Sequence, residues 1–408
     1  MVVLVVFAGW ITYISLQISK NYGGTDLRAR VVGARAMAMG KSPYFYKWNP
    51  ADGERLLDPN DQPQRIVNGN IATPAVLLLM QPFNGLPYPS TRLVWTLLEL
   101  LAVAFTFILL TRAEPNAARR LWMVIPALLL IVASPFFFLH TDRGQLYLFY
   151  PAVIAGAFYL FSKKGKGVFF SGMLIGLLVF FRPFTVFVAA GFLLKKEGKW
   201  LAGFGGGLVA GLLIFMLPMP ETWTDYFSAM KIYSLETEAP QLLKAFTQFP
   251  VPTEIEGATN LSRWGQYNVT ALRNVYEMAS LKHIELSTTL ATGAAVLFFS
   301  ILSVLFYKRG QKKPAEIFVF GVILMICCEY FIKAPRGPYN ILQWMIPAVF
   351  ISQYFTKYQP LVGFLLFGLL GSIFYTVIPF FTGRQYLAEL IIVLVSIWFV
   401  LKPERKDF

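Results

Sequence analysis

The sequence predicts an all-α, polytopic membrane protein, and three observations carry that prediction. Of the 408 residues, 56% are hydrophobic and 14% charged, with a mean hydropathy of +0.56, a balance foreign to a soluble domain of this size. Apolar runs of about 17 to 23 residues, the length a helix needs to cross a bilayer, recur from Met1 to Leu401. Each run is closed by charges or by Pro and Gly, and the basic clusters "TRAEPNAARR", "SKKGKG", "KKEGKW", "YKRGQKK" and "KPERK" can all face one side. The positive-inside rule therefore accounts for much of the net charge of +14, and nucleic acid is dropped as a partner.

The runs place helices near residues 1–19, 91–111, 121–139, 145–162, 199–218, 285–307, 315–332, 341–357, 360–381 and 386–402, about ten full crossings. The first run lacks a basic leader and an A-x-A-like cleavage site, so it reads as a retained helix. Between "SKKGKG" and "KKEGKW" two shorter apolar stretches break at Arg182-Pro183. Both flanks are basic, which predicts a short helical hairpin entering and leaving on one side. Cys327 and Cys328 are adjacent within an apolar run. They read as small hydrophobes and imply no disulfide framework.

With the basic clusters inside, the other side receives helical loops at residues 20–90 and 219–284 and the turns "HTDRGQ", "KAPRGPYN" and "TGRQY". The chain reads as one integral membrane domain, residues 1–408, with 20–90 as its catalytic loop. Within that loop "IATPAVLLLMQPF" is too short to span and suits a partly buried segment.

The unusual polar residues all fall on this outer side. On a helix Asp26 and Arg30 are four apart and Arg28 and Arg35 seven apart, beside an apolar stripe of Leu27, Val31 and Ala34. Such a helix is expected along the membrane surface. Either its arginines hold a lipid phosphate while Asp26 takes a proton from an attacking hydroxyl, or they touch headgroups while Asp26 pairs with Arg30. "HTDRGQLY" sets His140, Asp142, Arg143 and Gln145 in a turn between two spans, as a phosphate or proton-handling group or as a capped turn. Arg182, before Pro183, suits a buried anion site or a snorkelling arginine. Glu99 and Glu329, in apolar runs, are assigned structural roles and are possible partners for that arginine. "KAPRGPYNILQW" adds Lys333, Arg336, Tyr339 and Asn340, a cation, phenol and amide set suited to phosphate and sugar hydroxyls or to an interfacial anchor.

The run "GTDLRARVVGARAMAMGKSPYFYKW", then "NGNIATPAVLLLMQPFNGLPY", "HTDRGQLY" and "RGPYNILQWMIP" resembles the C superfamily of glycosyltransferases, within it family 87. The resemblance implies an inverting enzyme that takes mannose or a related sugar from a polyprenyl phosphate and passes it to a lipid or glycan acceptor on the outer face. It maps the general base to Asp26 and the phosphate-holding bases to Arg28, Arg30, Arg35, His140, Arg143, Arg182 and Arg336. It also brings Tyr44 of "GKSPY" among the substrate-binding residues. One departure from related families stands out: Asp26 is a lone acid, with Asp52 and Glu54 remote in sequence. No metal or other cofactor is therefore expected, and cationic side chains would stabilise the departing phosphate. A bacterial inner membrane, active site toward the periplasm or exterior, is the expected home. The competing function is a transporter or flippase of lipid-linked sugars or other amphipathic anions, against which the absence of a clear internal repeat speaks.

Overall fold

The computed structural model describes residues 9–10, 12–17, 19, 24–58, 61, 65–114, 116–117, 120–121, 123–124, 135–238, 288–310, 313–331, 338–352 and 384–402. Every regular element among them is helical, as the sequence predicts. Helix α1 (Thr25–Ala38) starts after Gly24 at φ 60° and carries Asp26 in its first turn and Arg35 in its last. That charge order complements the helix dipole. Leu27, Val31 and Ala34 are fully buried, and so, nearly, are Arg30 and Arg35. The helix is packed within the protein, and Arg30 and Arg35 are not displayed on an open surface. The burial is tolerable because both guanidiniums donate to backbone carbonyls: Arg30 to Gly144, and Arg35 to Arg55 and Leu86.

Helix α2 (Pro74–Met80) opens on a proline at its first position and packs against α1. It realises the short buried segment expected within residues 20–90. Helix α3 (Tyr88–Arg112) has 25 residues and runs about 37 Å at the α-helical rise. Helices α4 (Pro135–Arg143), α5 (Phe149–Ser162) and α6 (Lys166–Leu178) follow.

The break at Arg182-Pro183 falls where the sequence puts it. Arg182 is extended (φ −147°, ψ 98°) because the proline ring bars the helical conformation before it. A 3-10 segment Pro183–Val188 leads into α7 (Ala189–Leu194) and then α8 (Gly198–Gly211), which continues as a wider turn to Met216. Helices α6 and α8 lie so close that a Cβ at Gly172 or Gly203 would strike the facing backbone at Trp200 or Phe169, the small-residue contact common between apolar helices. The remaining helices are α9 (Pro220–Glu238), α10 (Thr288–Lys308), α11 (Pro314–Cys327), α12 (Met345–Ser352) and α13 (Arg384–Leu401).

Two described helices, Tyr88–Arg112 and Gly198–Met216, are long and apolar enough to cross a membrane, and the other apolar helices are shorter. Of the ten runs read from the sequence, 360–381 lies outside the described residues, as do parts of five others, among them 1–8, 125–134 and 353–357. Residues 239–284 of the second loop lie outside them as well.

Two apolar clusters hold the helices together. The larger joins α5, α11 and α12 through Phe158, Phe318 and Phe350. The smaller joins α1 and α2 to α3 through Leu27, Val31, Leu77 and Trp95. Cavities lie at the two ends of α3, α5 and α11. One, of about 350 Å³, is lined by Leu110, Phe158 and Glu316. The other, of about 270 Å³, lies by Tyr147, Tyr150 and Glu329.

Candidate active site

The second cavity is built where α1 meets the α4–α5 turn. Gly144 in that turn has φ 66°, and a Cβ there would sit 2.6 Å from the Cβ of Leu27. Only glycine fits both the conformation and the approach. Its carbonyl accepts from Arg30 Nη1 at 2.7 Å, while Arg30 Nη2 donates to Gln145 Oε1 at 2.7 Å. The Gln145 amide then donates from Nε2 to Asp26 Oδ2 and to the Tyr339 hydroxyl, the latter at 3.0 Å. An amide can accept from a guanidinium through its oxygen and donate to a carboxylate through its nitrogen at once. Arg143 Nη1 stands 3.7 Å from Asp26 Oδ2, and Thr25 Oγ1 lies 3.3 Å from Asp26 Oδ1.

A second set faces the first across the cavity. Arg182 pairs with Glu329 and sits over the rings of Tyr147 and Tyr150, at 4.9 and 4.7 Å from their centroids. Glu329 Oε2 accepts at longer range from Asn340 Nδ2 (3.4 Å) and Gln343 Nε2 (3.5 Å). Ile71, Val76, Phe181 and Phe184 supply the apolar wall. Burial, and then the Asp26 charge, push Tyr339 well up, and burial with Tyr150 pushes Tyr226 up to about 12. Both therefore line the site as neutral phenols near pH 7.

Of the residues singled out in the sequence, Asp26, Arg30, Arg143, Gln145, Arg182, Glu329 and Tyr339 line this one cavity. The others are held elsewhere. Arg28 lies over the Tyr88 ring and donates to Leu57 O. Arg35 is spent on two carbonyls. Tyr44, fully buried, donates to Ala72 O. His140 is also fully buried, with Nδ1 3.3 Å from Glu99 Oε1. The Asp142 carbonyl receives Arg92, and Asn340 stands behind Glu329. Arg336 and Lys333 lie outside the described residues. Asp52 is held by Lys41 and Tyr46 away from the cavity.

A family model for glycosyltransferase family 87 matches residues 71–328, more than half of the chain. This chain belongs to glycosyltransferase family 87. No curated protein and no solved structure matches it. As a family 87 glycosyltransferase it uses a sugar donor and an acceptor, and members of this family are typically membrane proteins. The matched stretch covers the α4–α5 turn and Arg182 and ends one residue before Glu329, with Asp26 ahead of it.

Glu329, assigned a structural role and named as a possible partner of Arg182, is that partner and also lines the cavity; its local signal is a carboxylate in an apolar run. Two features of this candidate site escape a reading of the sequence. Tyr147 and Tyr150 are three apart on the α5 side of the turn, a spacing that puts two phenols on one face. Arg92, 1% exposed, donates from Nη2 to the carbonyls of Thr141 and Asp142 and so clamps the turn that bears Arg143 and Gln145.

Proposed function

We propose that this glycosyltransferase moves mannose or a related sugar from a polyprenyl phosphate to a lipid or glycan acceptor with inversion, Asp26 acting as general base. The observation that carries the reading is the shared cavity. A carboxylate with one oxygen fixed by Gln145 and Arg143 lines the same space as three guanidiniums and several phenols.

The acceptor hydroxyl would approach Asp26 and lose its proton to the carboxylate as its oxygen attacks the anomeric carbon. The bond from that carbon to the phosphate oxygen breaks, and the phosphate leaves with the electron pair. Arg30 is committed by both terminal nitrogens to Gly144 and Gln145, so its part is to hold the amide that aims Asp26. Arg143 meets Asp26 and Tyr339 and has five N–H donors with which to meet the phosphate as well. Fixed donors aimed at developing charge supply the electrostatic stabilisation that a divalent ion would otherwise give, so no cofactor is called for.

The same reading puts the chain in an inner membrane with about ten crossings and this cavity toward the periplasm or exterior. The exposed Lys163, Lys164 and Lys313 stand at the far ends of α5 and α11, which is the placement the positive-inside rule favours for a cytoplasmic face.

The test uses the purified protein and Asp26→Asn side by side with a panel of polyprenyl-phosphate sugars and a glycolipid extract, following polyprenyl phosphate release by mass spectrometry. Release from one donor, absent in a folded variant, is expected. Full activity in Asp26→Asn would overturn the assignment of the base, and movement of labelled lipid across vesicles without a new glycosidic bond would favour transport.

A further inference from the structure

The cavity holds more charge than transfer of a phosphate needs. Arg182 and Glu329, 6% and about a tenth exposed, form an ion pair joining residues 147 positions apart in sequence. Such a pair seldom stabilises a fold better than apolar side chains of the same volume would, because both ions lose their hydration. It also makes a poor phosphate site: an entering anion would have to displace a buried carboxylate that already neutralises the arginine. What the pair offers is a donor fork and an acceptor side by side, held from behind. The Tyr147 and Tyr150 rings fix the guanidinium, and Asn340 and Gln343 approach the outer carboxylate oxygen.

We propose that Arg182 and Glu329 read two adjacent hydroxyls of the transferred sugar and so set which donor the enzyme accepts. Arg182 donates to the oxygen of one hydroxyl, Glu329 accepts the proton of its neighbour, and the tyrosine rings supply a wall for the sugar's C–H face. A neutral diol needs this pairing of donor with acceptor, and a single charge does not provide it. Discrimination follows from desolvation: a sugar lacking one of the two hydroxyls displaces water from the pair without replacing the hydrogen bond that water made, the kind of mismatch that polar pockets reject most strongly.

The inference rests on the proposed transfer from a glycosyl polyprenyl phosphate in this cavity, so two readouts are needed. In the first, kcat/KM is measured for the accepted donor and its singly deoxygenated analogues. Wild type should lose about 100-fold or more on removal of either of two neighbouring hydroxyls. Glu329→Gln and Arg182→Lys, with unchanged melting temperatures, should lower kcat/KM for the full donor and shrink that discrimination below about tenfold. The second readout needs no lipid and no transfer. Saturation-transfer NMR of methyl glycosides with the purified protein should show binding that depends on the same two hydroxyls in wild type and on neither in the variants. Transfer failing from every donor while the NMR pattern holds would count against the polyprenyl-phosphate donor alone. Discrimination that survives in both folded variants, or glycoside binding indifferent to deoxygenation in wild type, overturns the role of the pair.

Discussion

The two cavities hold similar kinds of charge and use them differently. At the far ends of α3, α5 and α11, Glu114, Glu316, Lys164 and Lys313 line the 350 Å³ cavity. There each carboxylate is occupied with chain geometry: Glu114 accepts from Asn116 N, and Glu316 from Lys313 N at the start of α11. The lysines are exposed, on flexible stems and in contact with solvent. At the Asp26 end Arg30 and Arg182 are buried, their forks fixed by a carbonyl, an amide and aromatic rings, and the partly exposed Arg143 stands beside Asp26. The contrast teaches that composition does not make a site. What separates the two is preorganisation, since charges fixed before substrate arrives need not reorganise during reaction.

The largest effect that would sharpen this contrast is a carboxylate exchange at each end. Asp26→Asn removes the proposed proton acceptor and should cut transfer by about 10² to 10⁴-fold. Glu114→Gln and Glu316→Gln at the other end should stay within about twofold, because each keeps an acceptor for its cap. Comparable losses at both ends, measured as polyprenyl phosphate release, would erase the distinction.

A cation exchange should be somewhat smaller. Arg143→Gln removes the fork beside Asp26 and is expected to cost roughly 10² to 10³-fold in kcat, with the melting temperature little changed. Lys164→Gln and Lys313→Gln should leave kcat alone. If Arg143→Gln raised KM only, the arginine would bind substrate without stabilising the departing phosphate.

Which parts of this site were legible in advance follows from how far apart its partners lie in sequence. Asp26 and Arg30 stand out because a four-residue spacing on one helix is a local pattern. The turn carrying Arg143, Gly144 and Gln145 stands out because four polar groups interrupt two apolar runs. The all-helical fold and the break at Arg182-Pro183 follow from run length and proline chemistry. Glu99 and Glu329 stand out as carboxylates in apolar runs and so as possible partners for Arg182, but that Glu329 meets Arg182 while Glu99 meets His140 depends on which helices meet, and no local pattern encodes that. The burial of Arg30 and Arg35 was not legible for the same reason. Arginines at the edge of an apolar run suggest water or headgroups, whereas here carbonyls more than 50 residues away accept from them.

The clamp on the α4–α5 turn gives the next smaller effect and bears on rigidity itself. Arg92→Gln withdraws the donor to Thr141 O and Asp142 O; Thr141 O keeps its bond from Gly144 N, and the loss at Asp142 O should cost about 1–3 kcal/mol. Gly144→Ala forces a side chain into a positive φ beside Leu27 and should cost of order 1–3 kcal/mol as well. Both should lower kcat more than they raise KM, since a displaced turn misaims Arg143 and Gln145 without removing them. A thermal melt together with donor titration checks this. Stable variants with normal kcat would show that the turn needs no clamp.

The smallest effect comes from a charge pair outside both cavities. Asp52 accepts from Lys41 at 2.5 Å and from Tyr46 at 2.6 Å, and these two contacts, Lys41 first, hold its carboxyl below the ordinary value of 3.8. A carboxyl whose pKa is lower in the folded chain than in the unfolded one binds its proton more readily when unfolded. Its contribution is therefore complete above about pH 4 and declines as pH falls below that value. The pair is partly open to solvent, with side chains 33% and 19% exposed, so the contribution should stay under about 1 kcal/mol and weaken with salt. Melts of the wild type and of Lys41→Met between pH 7 and pH 3 should differ slightly at neutral pH and converge at the acid end. Because Asp52 does not line the cavity, rates of sugar transfer at neutral pH should not distinguish Asp52→Asn from wild type. A large loss of transfer in that variant would mean that the acid of "NPADGE" reaches the reaction after all, and that the lone-carboxylate reading of Asp26 must give way to a pair.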